Sequence, residues 1–221
     1  MNNNIQYDTL QLFYTAELAN IKLAEEQAKA HHFKQLLDMI ESLLEVAEET
    51  GWFIDANNKY EVLSQLLKRK SITLEYIHKI PKGLLLLPHL EELNLIHFTM
   101  RQLPSFIGQM KNLKILRCQH GALEHLPHNI AHLEHLEMLI LDDNVLEDLP
   151  ENIGNLQQLK VLSLRNNQLL SLPESLGKIH TLEKLYLASN QLQKTLLPTV
   201  LKNRHKSNLV VVNTLRRLFK W

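Results

Sequence analysis

A phrase of 23 residues is written five times along this chain, and nothing else in it constrains the fold so tightly. Leu90, Leu113, Leu136, Leu159 and Leu182 each open a segment of the form LxxLxLxxNxLxxLPxxIGxLxx. The clearest copy is LEMLILDDNVLEDLPENIGNLQQ, from Leu136 to Gln158. A period of this size marks a solenoid, in which each repeat buries its apolar side against its neighbours. Numbered from the first leucine, positions 1, 4, 6, 11, 14, 18 and 21 are apolar. The LxLxx stretch alternates like a short strand, so positions 4 and 6 point inward and positions 3, 5 and 7 outward. Stacking the repeats then predicts a parallel sheet with strands about 4.8 Å apart.

Other columns carry specific roles. Proline at position 15 (Pro104, Pro127, Pro150, Pro173) blocks strand pairing and fixes φ for a return path. A small residue follows at Gly108, Ala131, Gly154 and Gly177, where the return segment packs closely on its neighbour. The ninth-position residues Asn144, Asn167 and Asn190 are expected to bridge backbone groups of adjacent turns. Phe98 and Gly121 stand there in the first two repeats, so the front of the array is expected to be less regular. Counting back 23 residues from Leu90 suggests a degenerate copy opening at Leu67, with Lys70 in a leucine position. At the far end, 208–213 reads as a last strand followed by a closing segment.

These residues resemble the 23-residue, LPxxIG-type leucine-rich repeat family, seen in Ras-suppressor-like and Scribble-like scaffolds, in Roco proteins and in bacterial repeat proteins. The resemblance covers residues 67–200. It implies an α/β leucine-rich repeat solenoid with a concave parallel β-sheet, and short helical or irregular segments on its outside. It says little about function, because such arrays bind unrelated partners.

The first 66 residues differ in kind. Asp8 to Thr50 contains no proline or glycine and carries apolar residues at helical spacing, with a drift near 20–32 that suggests two helices. Another helix is expected over 55–70. The reading is an N-terminal helical cap over 1–66, repeats over 67–205 and a C-terminal cap over 206–221. The alternative for the helices is a separate docking or dimerising bundle. Charge follows the same division: residues 1–66 carry 4 Lys/Arg against 11 Asp/Glu, and residues 194–221 carry 7 basic residues and no acid. The whole chain balances at 24 of each sign, so no global attraction to polyanions follows.

The outward face of the sheet is the candidate site. Ile115, Met138, Ile140 and Val161 are expected to form an apolar centre with Tyr186 beside it. Ile96, His97, Arg117, His120, Asp142, Asp143, Arg165, Asn166 and Lys184 surround it. An apolar centre with an aromatic and a charged rim is the anatomy of a protein-binding hot spot. The plainer reading is that the aliphatics merely support β structure. Stacked His97 and His120 could make binding pH-sensitive. His128, His132 and His135 have helical spacing, but on a short outer segment they are expected to face solvent, and no metal or other cofactor is assigned.

Glu91, Lys114, Glu137, Lys160 and Glu183 alternate in charge at position 2 and are read as a register device. Cys118 occupies a leucine column, so it is read as a small buried apolar residue and no nucleophile. With no phosphate loop, zinc-protease motif or nucleophile elbow, the expectation is a non-enzymatic module that binds a protein or peptide on the concave face. The alternative is an adaptor that meets anionic lipid or nucleic acid through its basic end, nucleic acid being the less favoured. One cysteine and no signal-like or membrane-spanning apolar run point to the cytoplasm.

Overall fold

The computed structural model describes residues 9, 11–31, 34–52, 54 and 58–192, together with the backbone of 210–212. The chain divides into two compact units, one of residues 1–72 and 81–90, the other of residues 73–80 and 91–221.

The first unit is helical, with α1 over Leu18–Ala30, α2 over Lys34–Glu49 and α3 over Lys59–Leu67. A short helical turn lies ahead of α1, so the stretch expected to hold two helices holds three pieces. Thr15 causes the first break. Its hydroxyl donates to the Leu12 carbonyl at 2.7 Å, and Ala16 follows with φ of 55°. The Ser64 hydroxyl holds the Ala16 carbonyl at 2.5 Å from α3. Gly51, at φ of 81°, ends α2, and Trp52 N–H closes on the Ala47 carbonyl. Phe13, Ile21, Ala24, Leu36, Ile40, Leu43, Leu63 and Leu66 form the core. Lys82–Leu86 is a 3₁₀ turn whose Gly83 lies so close to α2 that a Cβ there would sit 2.1 Å from the Ser42 carbonyl oxygen.

One charge is buried among these helices. Glu25 keeps only 4% of its side-chain surface and takes ion pairs from Lys29 at 2.7 Å and Lys59 at 2.9 Å. Burial pushes its carboxyl up, and the hydrogen bonds from the two lysines outweigh that and hold it below the usual value.

The second unit is the repeat array. Its sheet runs in order β1 to β7, over Ser71–Glu75, Glu92–Ile96, Ile115–Gln119, Met138–Ile140, Val161–Ser163, Lys184–Tyr186 and Val210–Val212. From β2 to β7 every pairing is parallel, and from β2 to β6 partners are 23 residues apart, as in Glu92↔Ile115 and Val161↔Lys184. The inward columns are buried throughout: Leu93, Leu116, Leu139, Leu162 and Leu185 at position 4, and Leu95, Cys118, Leu141, Leu164 and Leu187 at position 6. Each is worth about 2 kcal/mol against exposure. The return path is a 3₁₀ turn after each proline: Ser105–Gln109, His128–His132, Glu151–Asn155 and Glu174–Lys178, with proline φ between −65° and −68° in the first two. Val210–Val212 falls inside the strand expected over 208–213; the closing segment after it lies outside the described residues.

The asparagine column does what its position suggests. Asn167 donates to the carbonyls of Leu141, Leu164 and Arg165 and accepts from the Leu146 N–H at 3.0 Å. Asn144 and Asn190 repeat the pattern one turn before and one turn after. Where asparagine is missing, bulk replaces it. Phe98 is buried, and a Cβ on Gly121 would come within 2.2 Å of its ring.

The front of the array is out of step with a 23-residue count. Asn94 donates to the Thr73 hydroxyl, the Tyr76 N–H to the Ile96 carbonyl, and both pairs are offset differently from those downstream. Ile72 and Leu74 therefore fill the inward positions beside Leu93 and Leu95, so the first spacing is 21 residues, as between Tyr76 and His97. Lys70 does not stand in the leucine column, and Leu67 belongs to the end of α3. The helix had already absorbed two residues that the count assigned to the repeat.

Two outcomes follow. Gly121→Ala is expected to lose about 1–3 kcal/mol of stability in urea unfolding, and Phe98→Leu in the same chain to recover most of it; additive losses would show that the pair does not share the space. Glu25→Gln is expected to destabilise the protein by about 1–3 kcal/mol at neutral pH. A carboxyl lowered by folding contributes above its unfolded value, about 4.3, and loses that contribution as pH falls through the folded value, so the difference should close in acid. A gap unchanged from neutral pH to below about 3 would exclude the ion pairs as its source.

Candidate functional site

Two rows of side chains run across the outward face, one from each pleat. The first is Glu92, Ile115, Met138, Val161 and Lys184, each in register with the next. The second is Asn94, Arg117, Ile140, Ser163 and Tyr186. Parallel pairing puts neighbours in a row about 4.8 Å apart, so the aliphatics form one continuous strip. Ile115, Met138, Ile140 and Val161 are all half-buried by one another, with Ile96 and Tyr186 in the same state. The structure therefore assembles the expected apolar centre.

The charged residues separate into two environments. Arg117 donates to the Glu92 carboxylate, and to Asn94 Oδ1 at 3.0 Å, so it is held flat against the front of the sheet. Arg165 instead lies over the Tyr186 ring, its guanidinium carbon 4.1 Å from the centroid. Lys184 is exposed beside Val161.

Asp142 departs from the expectation. It is only 8% exposed, and its Oδ1 accepts from the Ser163 hydroxyl at 2.5 Å and the Arg165 N–H at 2.9 Å. Its carboxylate is turned into the array to satisfy the next repeat, so it does not serve the rim. Alternation alone places position 7 outward, but a short acid one residue before the turn can bend back onto backbone donors.

Past the strands, the eighth residue of every repeat takes the left-handed conformation: His97 at 53°, His120 at 53°, Asp143 at 59°, Asn166 at 52° and Ser189 at 59°, with Tyr76 at 57° in line. Asn, Asp and His tolerate this region better than most non-glycine residues, which accounts for four of the six. Their side chains make a second ladder. Tyr76, 71% exposed, stacks on His97, and His97 on His120, each pair 5.2 Å between centroids. His120 reaches Asp143 at 3.3 Å, and Asn166 donates to Asp143 at 2.6 Å. Tyr76 and the Glu92–Asn94 clasp on Arg117 were not anticipated. The 21-residue spacing hid Tyr76, whereas the 23-residue register places Asn94 beside Arg117.

The position-2 column behaves as read. Lys114 meets Glu91 at 2.9 Å and Lys160 meets Glu137 at 2.6 Å, exposed pairs that add register and little energy. Cys118 is fully buried, and burial pushes its thiol up, so it packs as an apolar residue. His128, His132 and His135 are exposed around the third 3₁₀ turn, and among the described residues no group of three or more His, Cys, Asp or Glu is placed to hold a metal ion. No described helix is long and apolar enough to cross a membrane. The basic residues from Lys194 onward lie outside the described residues.

Comparison with known proteins agrees with this geometry. The family described as Leucine Rich Repeat matches residues 158–179. No curated protein matches the chain. Among solved structures, a leucine-rich repeat protein of Leptospira interrogans is 27% identical with a TM-score of 0.56, over 78% of this chain and 56% of its own. An internalin of Listeria monocytogenes is 17% identical with a TM-score of 0.55, over 69% of this chain and 49% of its own, and shares the fold. The chain thus spans about half the length of these two structures.

Replacing Asp142 by alanine should cost about 1–3 kcal/mol, because the Ser163 hydroxyl and the Arg165 N–H lose a shared acceptor. Chemical denaturation measures this. Unchanged stability would return Asp142 to the rim.

Proposed function

Taking as premise that the chain is a leucine-rich repeat protein with an N-terminal helical region, we propose that it is a non-enzymatic interaction module that binds a protein or peptide on the outward face of its sheet. The carrying observation is the in-register strip Ile115–Met138–Val161 with Ile140 beside it, half-open on an otherwise polar surface. Folding alone has no use for aliphatic side chains there, since the leucine columns already supply the core. A partner that covers the strip removes apolar area from water at about 25 cal/mol per Å². The Arg117 and Arg165 assemblies supply the rim that directs it.

The 23-residue register and the proline-led 3₁₀ turns also favour the LPxxIG class of repeat. Nothing among the described residues assembles an activated nucleophile, and the thiol of Cys118 is enclosed. These observations support the binding reading over a catalytic one.

Ile140→Asp tests it. The variant leaves the leucine columns untouched and is expected to keep the wild-type circular dichroism and melting transition. Affinity capture from source-cell lysate should lose the specific partner by about thirtyfold or more, as removal of a hot-spot side chain does. Full capture by the folded variant would sink the proposal. Capture indifferent to Ile140→Asp yet stripped by moderate salt would move the site to the basic end instead.

A further inference from the structure

The rim of the binding face is electrically lopsided, and the imbalance indicates what kind of segment it receives. Arg117 at the front is neutralised by Glu92. Arg165 and Lys184 at the back form no ion pair among the described residues. The acids near them are engaged elsewhere. Asp142 is buried on Ser163 and the Arg165 backbone, Asp143 is held by His120 and Asn166, and Glu183 acts on Lys160 in the position-2 column. Two cations therefore stand uncompensated beside the apolar strip, Lys184 in direct register with Val161.

Tyr186 gives one of them a fixed geometry. Stacking at 4.1 Å holds the Arg165 guanidinium over a ring, and a stacked guanidinium keeps its in-plane N–H groups for a carboxylate. A flexible surface arginine would lose more conformational entropy on binding.

We infer that the occupant of this face is a protein segment carrying acidic side chains next to an aliphatic one. Its carboxylates seat on Arg165 and Lys184, and its aliphatic side chain lies on the Ile115–Met138–Val161 strip. This deepens the binding-face reading and rests on it. A basic segment is disfavoured because it would be desolvated against two unpaired cations.

The test is to pan a random dodecapeptide phage library on the full chain, on Arg165→Glu/Lys184→Glu, and on Ile140→Asp. Each variant is first shown to be folded by circular dichroism and thermal melting. The wild type is expected to enrich peptides with Asp or Glu adjacent to Leu, Ile or Val, and a synthetic copy should bind about tenfold or more weaker to the charge-reversed variant. Its affinity should also fall as salt is raised. Should the double variant fail to fold, Arg165→Gln and Lys184→Glu singly carry the same reading, each with a smaller loss. Peptides lost on Ile140→Asp but showing no acidic bias, or bound equally by the charge-reversed chain, would overturn the acidic-segment inference and leave the binding face standing. Peptides indifferent to all variants, or no enrichment at all, would overturn both.

Discussion

The structure depends on how each repeat satisfies its backbone where the chain leaves the sheet. A parallel strand that ends abruptly leaves carbonyl and amide groups facing an apolar interior, and each orphan costs about 1–3 kcal/mol. Asn144, Asn167 and Asn190 supply those partners from side chains. A single amide shares its two N–H groups among three carbonyls, and its oxygen takes the Leu123, Leu146 or Leu169 N–H of the preceding repeat. The bond that closes one turn thereby joins it to the one before. Leucine burial drives the stacking, but it is non-directional, and the asparagines are what give the stack a register.

That arrangement also explains the difference between the two ends of the sheet. β2 and β3 have five residues each, while β4, β5 and β6 have three. The short strands are those of the asparagine-bearing repeats, where side-chain amides occupy carbonyls just past the third residue, such as Leu141 and Leu164. In the front repeats Phe98 occupies the equivalent space and backbone pairing extends further. Phe98 fills its site so fully that only glycine fits at position 121. The front is thus differently solved rather than disordered by the loss of its asparagines.

Most of the interior was legible in the sequence because it obeys one period. The inward leucines, the proline-led turns, the asparagine bridges and the apolar strip all follow from counting by 23. What escaped are places where something other than the period decides. Leu67 reads equally well as a repeat leucine or as the last apolar residue of a helix, and the helix claims it, which shortens the first spacing and conceals Tyr76. Thr15 breaks a helix through its own hydroxyl, a local competition that apolar spacing does not register. Asp142 stands at an outward position, yet its reach is short enough to serve the neighbouring backbone.

The case of Asp142 shows how the function of such a face has to be read. Strand alternation offers every outward side chain to a partner, but the array uses some of them for itself. Asp142 and Ser163 join repeats, Glu92 and Asn94 hold Arg117, and Asp143 is shared between His120 and Asn166. Each of these removes a charge or a hydrogen-bonding group from what a ligand could meet. The outward residues left over are an aliphatic strip, one tyrosine and two cations gathered toward one end. Polarity in the composition is balanced, and polarity on the face before this subtraction is nearly so. Only after the internal hydrogen bonds are assigned does the surface acquire a sign, and that sign is a property of the folded repeats rather than of the residue list.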